Sequence, residues 1–362
     1  MKLLFIGDGQ LGQMLGRSAI QHGHEVLLYS TREHTIKPLS AQLNLPLSLA
    51  EAIRWSDCVS WEHEDIPAEV LTAAQAKFLF DTNRIKGLTD RRTEKQLFDE
   101  QQVATSPWSA FSTPAELTEI LAHSDAAQVI KAARGGYDGK GQWRFQPGDA
   151  IEPLAQTAGQ QAGIVEAMIP FKREVSLVGA RGQDGQIACY PLVINIHRQG
   201  ILSHTFAGLT EPDTQLQQQA EQAFAKITTA LDYVGVLGVE FFVVEEAGSQ
   251  RLLVNEIAPR VHNSGHWSMQ GSSHSQFDLH IRALTQIPLG QPTIRPTLML
   301  NVIGVAEIPS ALWQDARCQC HWYNKAARPG RKVGHVNIQV DSLEEAEQWV
   351  TEWSPRLQTL AD

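Results

Sequence analysis

The sequence predicts an α/β protein, α+β overall, in which a short parallel unit precedes a longer region of consecutive strands. Two apolar runs, 2–6 and 25–29, flank a helical stretch, and this order is typical of a parallel strand pair with a right-handed crossover. Strand-like runs then dominate from 127 to 205 and return at 235–245 and 251–257. With 362 residues, the chain is long enough for two or three domains.

Further elements follow from local signals of the same kind. Two helix starts are marked by Thr113-Pro114-Ala115-Glu116 and Ser342-Leu343-Glu344-Glu345, in which a hydroxyl and a carboxylate can satisfy the first free N–H groups. Strands at 58–61 and 78–80 complete one small α/β unit at the N-terminus, and 291–296 is a linker. The remaining predicted elements are helices over about 10–22, 90–102, 213–231 and 276–286 and tail strands near 298–305, 318–323 and 333–340.

The charge balance limits the partners of the protein. Thirty basic and 40 acidic residues give a formal net charge of −10, which argues against general binding to nucleic acid or to anionic membranes. No run of 18 apolar residues is present, and the first strand meets Gly7 and Asp8 too early for a signal core, so a cytoplasmic location is expected. The four cysteines are too few for a disulfide framework and are expected as buried thiols.

The first phosphate-binding pattern is Gly7-Asp8-Gly9-Gln10-Leu11-Gly12. It follows a strand and opens a helix, where backbone N–H groups can face a phosphate. A dinucleotide site also needs an acidic residue at the end of the second strand, but this chain has Arg32 there, which could suit the 2′-phosphate of NADP. Three interpretations remain open: the segment binds NADP, it binds the phosphate of another ligand, or it is a structural turn.

A glycine-rich segment over 131–142 is the second pattern. Lys131 ends a strand, and four glycines then follow within seven residues, together with Lys140. Such a loop can fold over phosphates, with backbone N–H groups as donors and the lysines as counter-charges. A plain hairpin turn is the alternative. No GK[ST] sequence opens a helix here, so the segment is not a Walker A loop.

The third pattern is a pair of carboxylates on neighbouring strands. Glu240 and Glu256 each interrupt an apolar run, and the short connection between the runs predicts antiparallel neighbours. Two buried carboxylates side by side need a cation or must take up a proton. Together with a phosphate loop, oxygen ligands indicate Mg²⁺ bound with a nucleotide; a structural salt-bridged pair is the alternative.

Two polar segments complete the set of candidate sites. In the loop that follows Glu256, Arg260, His262 and Asn263 offer donors for a small anion, and no helix presents His262 and His266 as a zinc pair. The basic cluster 325–332 is either a solvated surface turn or a site for the phosphate of a second substrate.

In this order, the motifs resemble the ATP-grasp superfamily and, within it, the ATP-dependent carboxylases of purine biosynthesis. The resemblance runs nearly end to end and rests on GxGQLG at 7–12, DRxxxKQLFD at 90–99, GGYDGKGQ at 135–142, EVSLVGARG at 174–182, NEIAPRVHNSGH at 255–266 and RPGRKVGH at 328–335. It implies an ATP-grasp fold in three parts: a Rossmann-like domain over 1–90, a two-lobed ATP-grasp domain over 91–290 and a small C-terminal domain over 291–362.

The resemblance also implies a role for each matching residue. The expected ATP contacts are Arg91, Lys131, Gly136, Tyr137, Asp138, Gly139, Lys140, Gly141, Gln142, Glu166, Ala167, Met168, Ile169, Glu174, His197, Asn255 and Glu256. The expected Mg²⁺ ligands are Glu240 and Glu256. The expected contacts of the ribonucleotide substrate are Gln10, Glu62, Tyr137, Asp138, Lys325, Arg331 and Lys332. The expected catalytic residues are Arg260, His262 and Asn263 around bicarbonate, with Asp138 and Lys332.

The implied reaction is the carboxylation of 5-aminoimidazole ribonucleotide with ATP and bicarbonate, by way of carboxyphosphate, in a homodimer. Other ATP-grasp ligases, such as the formylating glycinamide ribonucleotide transformylase or a biotin carboxylase-like protein, share the metal strands but are not expected to carry RPGRKVGH. An NADP oxidoreductase would leave Glu240, Glu256 and the loop 135–142 without a role. A non-catalytic nucleotide-binding regulator would be expected to have lost one of the two carboxylates.

Overall fold

The structure is a computed structural model that describes residues 1–40, 46–136, 141–210 and 213–360. Its strands are β1 Lys2–Ile6, β2 Glu25–Ser30, β3 Thr35–Pro38, β4 Cys58–Trp61, β5 Trp108–Phe111, β6 Gln128–Ala132, β7 Gln142–Phe145, β8 Gly163–Ala167, β9 Arg173–Arg181, β10 Ile187–Cys189, β11 Val193–Arg198, β12 Ile201–Ala207, β13 Gly235–Glu246, β14 Ser249–Ala258, β15 Thr297–Ile303, β16 Cys318–Trp322 and β17 Lys332–Gln339. Its α-helices are α1 Gln10–Gln21, α2 Leu49–Trp55, α3 Ala68–Ala74, α4 Thr82–Gly87, α5 Arg91–Glu100, α6 Pro114–Ala122, α7 Ile151–Ala158, α8 Thr214–Ala230, α9 Ser268–Gly271, α10 Gln276–Thr285, α11 Ser310–Gln314 and α12 Leu343–Leu357.

The N-terminal region forms a mostly parallel sheet in the order β3-β2-β1-β4. Strand β1 pairs in parallel with β2 and β4, and α1 makes the crossover, which confirms the predicted βαβ opening. The predicted strand at 78–80 is wrong. Phe78 and Phe80 follow a 3₁₀ turn and pack on Trp61 with ring centroids 5.3 and 4.9 Å away, so their apolar pattern reflects burial in the core.

A small antiparallel sheet in the order β5-β8-β6-β7 packs against α6 and α7. The side chains of Phe111, Leu117, Ile130 and Phe145 form its core. Helix α7 was not predicted, because the sequence around it was assigned to strands. The glycine-rich segment joins β6 to β7, as predicted, and residues 137–140 lie outside the described part of the chain.

A large antiparallel sheet runs in the order β14-β13-β9-β11-β12-β15-β17-β16, with β10 added beside β9. The pairing of β12 with β15 crosses the predicted boundary at 290/291, so strands of the central and C-terminal regions belong to one sheet. Both strands are buried along their whole length. Across the described ranges, no helix has the length and apolar character needed to cross a membrane.

His280 ties the N-terminal sheet to the large sheet. The backbone N–H of Val236 donates to its Nδ1 (3.0 Å), so Nε2 carries the proton that it shares with Ser60 Oγ at 2.9 Å. Burial disfavours the imidazolium and lowers the pKa of His280 to about 4. The neutral ring therefore joins β4 to β13 below the surface.

We predict that His280 contributes to a loss of stability in mild acid. Its imidazole has a pKa of about 4 in the folded protein and an ordinary pKa of 6.5 in the unfolded chain, so it takes up a proton first in the unfolded chain. Its stabilising effect is therefore present above about pH 6.5 and fades as the pH falls toward 4. Lowering the pH from about 8 to about 5.5 should therefore reduce the contribution of His280 to the free energy of unfolding by roughly 1 kcal/mol. In urea unfolding, His280→Gln should be less stable at the higher pH but less pH-dependent than wild type, whereas exposed His123→Gln should follow wild type. An unchanged slope for His280→Gln would contradict this account.

Candidate active site

A cluster of carboxyl groups lies where β13, β14 and α5 meet. Glu240 and Glu256 are direct partners in the strand pairing, and a bulge follows Glu240. Burial and the charge of Glu256 raise the pKa of Glu240. Glu94 of α5 is also buried and accepts the Ile257 N–H at 2.8 Å; burial and the charge of Glu256 raise its pKa to about 8. The cluster is a place where added positive charge is stabilising.

Basic groups surround this cluster. Arg91 Nη2 lies 3.8 Å from Glu256 Oε2 and donates to the Gly136 carbonyl at 2.7 Å, so it links the cluster to the start of the glycine-rich loop. His197 forms a short hydrogen bond with Glu174. Burial disfavours the imidazolium of His197, but this bond and the charge of Glu240 outweigh burial and raise its pKa.

Two lysines share the buried carboxylate of Glu166, the first residue of the expected ATP contacts 166–169. The Glu166 carboxylate forms ion pairs with Lys95 (Nζ to Oε1, 2.6 Å) and with Lys131 (Nζ to Oε2, 2.5 Å). Burial disfavours the Glu166 carboxylate, but the two lysine charges outweigh it and lower its pKa to about 2. Burial and the charge of Lys131 outweigh the attraction of Glu166 and lower the pKa of Lys95. Lys131 also donates to Asn255 Oδ1 at 3.3 Å, which places the trio beside the carboxyl cluster.

The expected ATP contacts Ala167, Met168 and Ile169 are half-buried where the chain passes from the small sheet to the large one. The N–H groups of Ala167 and Met168 donate to the carbonyls of Pro107 and Ala127, both at 2.9 Å. The segment is thus hydrogen-bonded to the two neighbouring segments of the same chain. Gly141 and Gln142 lie at the far end of the glycine-rich loop; the predicted contacts Tyr137, Asp138, Gly139 and Lys140 fall outside the described residues.

The N-terminal glycine pattern is filled by a carboxylate of the protein itself. Glu62, at the end of β4, accepts the Gly9 N–H at 3.0 Å and the Gly12 N–H at 2.8 Å. A Cβ at position 9 would lie 2.7 Å from Glu62 Oε1, so the glycine makes room for this approach. Glu62 already occupies these N–H groups, which favours the structural turn among the interpretations left open by the sequence. The Oε1 atom of Gln10, which opens α1, is buried without a hydrogen-bond partner.

The three side chains predicted to bind bicarbonate are each held by a different part of the chain. Arg260 Nε donates to Glu64 Oε2 at 2.9 Å, in the N-terminal region. Asn263 exchanges two hydrogen bonds with Asn301 of β15, at 2.6 and 3.2 Å, in the C-terminal region. The third side chain, His262, lies 3.4 Å from Glu240 Oε1 through Nε2.

In the basic tail cluster, Lys325, Arg331 and Lys332 are half-buried, whereas Arg328 is exposed. Lys325 Nζ lies 5.7 Å from the centre of the Tyr323 ring, and burial together with the charge of Arg331 lowers its pKa. Arg331 donates to the Ala326 carbonyl at 3.1 Å. The charge of Lys332 acts on His262 and Glu240, and that of Glu62 acts on Lys325, so the tail residues face both the carboxyl cluster and the N-terminal region.

Several residues of this site were missed from the sequence. Lys95 and Glu94 lie in a helix with a polar composition, and the spacing of four between Glu94 and Phe98 was the available sign that Glu94 faces inward. Glu64 and Asn301 carry no sequence signal of their own, since their roles depend on partners almost 200 and 38 residues away.

The carboxyl cluster suits Mg²⁺ rather than an all-protein metal site. No group of three or more His, Cys, Asp or Glu side chains is arranged to hold a metal ion within the described ranges. Mg²⁺ typically uses one or two carboxylates and completes its shell with substrate phosphates and water. The facing pair Glu240 and Glu256 offers a donor set of that kind.

Comparisons with known proteins agree with this arrangement. The family model described as the ATP-grasp domain matches residues 96–277, and that described as the phosphoribosylaminoimidazole carboxylase C-terminal domain matches residues 297–349. An N5-carboxyaminoimidazole ribonucleotide synthase of Vibrio vulnificus (strain CMCP6) is 42% identical over 349 residues, which are 93% of this chain and 90% of the relative.

Solved structures agree as well. The N5-carboxyaminoimidazole synthetase of Staphylococcus aureus complexed with ADP has a TM-score of 0.85 and 28% identity, covering 97% of this chain and 96% of that chain. The N5-carboxyaminoimidazole synthase of Aspergillus clavatus, in complex with ADP and 5-aminoimidazole ribonucleotide, has a TM-score of 0.83 and 25% identity, covering 98% of each chain.

We predict that the N-terminal glycine pattern does not bind NADPH. The Glu62 carboxylate takes the two N–H groups that a pyrophosphate would need, and its charge repels one. A titration of NADPH, followed by its fluorescence, should show no saturation in the micromolar range. Saturable binding by the wild-type protein would restore the dehydrogenase interpretation.

Proposed function

The chain belongs to the N5-carboxyaminoimidazole ribonucleotide synthases, ATP-grasp ligases that carboxylate 5-aminoimidazole ribonucleotide in purine biosynthesis, and we propose that bicarbonate supplies the carbon and Mg²⁺ accompanies ATP. The observation that carries this proposal is the facing pair Glu240 and Glu256. This pair lies beside Lys131, at the start of the glycine-rich loop, and the positive charge of Lys332 in the tail acts on Glu240.

Glu240 and Glu256 are the residues that would hold Mg²⁺. When bound, the ion supplies positive charge to the phosphates of ATP as the γ-phosphoryl group is transferred. Asn255 lies beside the pair and accepts a hydrogen bond from Lys131, so its amide is placed to orient the lysine that we assign to the phosphates.

The nucleotide side of the site is formed by the two lobes. Lys131 and Arg91 offer positive charge to the phosphates, while Glu166 keeps Lys131 in place and Lys95 shares that carboxylate. We assign residues 166–169 to the adenine, Glu174 and His197 to the ribose side, and the loop from Gly136 to Gln142, which includes residues outside the described ranges, to the phosphates.

The chemistry requires bicarbonate to be activated. An oxygen of bicarbonate attacks the γ-phosphorus of ATP and ADP leaves, which gives carboxyphosphate. The amine of 5-aminoimidazole ribonucleotide then attacks the carboxyl carbon, phosphate leaves and the amine loses a proton. We propose that Arg260, His262 and Asn263 bind the carboxyl oxygens, and that Lys332 and Asp138 contact the reacting groups.

The second substrate is assigned to the junction of the three regions. Lys325, Arg331 and Lys332 bring positive charge suited to its phosphate, and Glu62, whose charge acts on Lys325, offers carboxylate oxygens. Gln10, whose buried Oε1 has no partner, completes this set with Tyr137. We further propose a cytoplasmic homodimer; molar mass by light scattering tests the assembly.

The direct test of the proposed function is ADP release measured with ATP and Mg²⁺. Turnover should require both bicarbonate and 5-aminoimidazole ribonucleotide, and the carboxylated product should incorporate carbon from labelled bicarbonate. Full turnover without bicarbonate would reject the assignment of the carbon source.

We predict that Glu256→Ala lowers ATP turnover by two or more decades, because it removes a ligand of the metal rather than a core contact. That loss corresponds to at least about 2.7 kcal/mol of transition-state stabilisation. Glu100→Ala, at an exposed position of α5, is the matched control and should retain turnover. Normal turnover by folded Glu256→Ala would refute the metal assignment.

We predict that Arg331→Ala raises the KM for 5-aminoimidazole ribonucleotide with a much smaller effect on the KM for ATP. Loss of one charge-assisted hydrogen bond costs about 1.5–3 kcal/mol, or about 10- to 150-fold. Exposed Arg328→Ala controls for a general loss of charge in the same turn. Equal effects on both KM values would mean that the tail is not a dedicated site for the second substrate.

A further inference from the structure

A chain of buried hydrogen bonds leads away from His262, on the side opposite to Glu240. His262 Nδ1 meets Ser264 Oγ at 2.8 Å, and Ser264 Oγ meets Ser176 Oγ at 2.7 Å. Asn195 Nδ2 donates to Ser176 Oγ at 2.8 Å, and Thr205 Oγ1 donates to Asn195 Oδ1 at 2.9 Å. We call these four residues, Thr205, Asn195, Ser176 and Ser264, the relay.

The relay has one consistent direction. An amide nitrogen can only donate, so Ser176 Oγ accepts from Asn195, which leaves the Ser176 hydroxyl proton available to Ser264 Oγ. The Ser264 hydroxyl proton is then directed to His262 Nδ1. All four relay side chains are at most 2% exposed, so water does not compete for these bonds.

A second donor fixes the same nitrogen. The backbone N–H of Ser264 also points at His262 Nδ1, at 3.4 Å, and a backbone N–H cannot accept. Nδ1 is therefore without a proton, and the neutral ring carries its proton on Nε2. That nitrogen is the one that lies 3.4 Å from Glu240 Oε1, on the side of the carboxyl cluster.

The backbone of His262 is fixed as well. Gln276 of α10 accepts the His262 N–H through Oε1 and donates to the His262 carbonyl through Nε2, both at 2.8 Å. On β13, a Cβ at Gly238 would lie 2.8 Å from the His262 Cβ, so only glycine leaves room for this ring. Ring position and proton position are thus set by separate contacts.

We propose that the relay makes His262 a permanent Nε2–H donor toward the bound carboxyl group, and that Ser264, Ser176 and Asn195 are positioning residues for the reaction. His262 then orients bicarbonate and the carboxyphosphate formed from it, and does not remove a proton with Nε2. The functional part rests on the proposed function; the tautomer does not.

The first test is ¹⁵N NMR of the histidine side chains in the metal-free full chain, with the His262 signals assigned by their loss in His262→Gln. Wild type should show an unprotonated Nδ1 and a protonated Nε2. Asn195→Asp should weaken this preference, because a carboxylate accepts from both Thr205 and Ser176 and so reverses the relay. A wild-type His262 protonated on Nδ1 would overturn the inference, whatever the enzyme proves to catalyse.

The second test is kinetic. Ser264→Ala and Ser176→Ala should raise the KM for bicarbonate about 3- to 10-fold, as expected for one weakened hydrogen bond, with little change in the KM for ATP. Ser56→Ala removes an equally buried hydroxyl, bonded to the Ile53 carbonyl, and should behave as wild type. Unchanged bicarbonate KM values in both relay variants would overturn the positioning role, whereas absence of bicarbonate use by wild type would reject the proposed function itself.

Discussion

The site depends on the concentration of negative charge between β13 and β14. Glu240 and Glu256 face each other in the strand register, and Glu94 approaches from α5. Burial and the charge of Glu256 make the ionised forms of Glu240 and Glu94 costly. Among the basic groups nearby, Arg91 lies 3.8 Å from Glu256, and the charge of Lys332 lowers the pKa of Glu240 in part. Such an arrangement is unfavourable for folding alone and becomes reasonable in a site that receives a cation with its substrate.

The pocket that we assign to bicarbonate, beside this cluster, depends on the docking of all three regions. Its three side chains belong to one short loop after β14. Glu64 of the N-terminal region holds Arg260, and Asn301 of β15 holds Asn263. The relay, within the large sheet, holds His262. The pocket geometry is consequently a property of the assembled chain. This organisation explains why its supporting residues are scattered widely in the sequence.

Sequence patterns predicted what is local and left out what is long-range. The βαβ opening, the capped helices and the antiparallel pair with Glu240 and Glu256 follow from spacing and short connections. The occupation of the glycine pattern by Glu62 could not be read in this way, because the contact joins residues about 50 positions apart. The strand predicted at 78–80 failed for a related reason: an apolar run reports burial, and tertiary packing decides the backbone shape.

The pairing of β12 with β15 has a consequence for how this protein can be divided. A fragment that ends at the linker would leave Ile201–Ala207 as an open sheet edge, with a row of unpaired N–H and C=O groups flanked by buried side chains. An edge of that kind is a template for strands of other molecules and a route to aggregation. The C-terminal region therefore covers the edge of the large sheet. A protein in which this region is removed or exchanged needs another strand to cover the same edge.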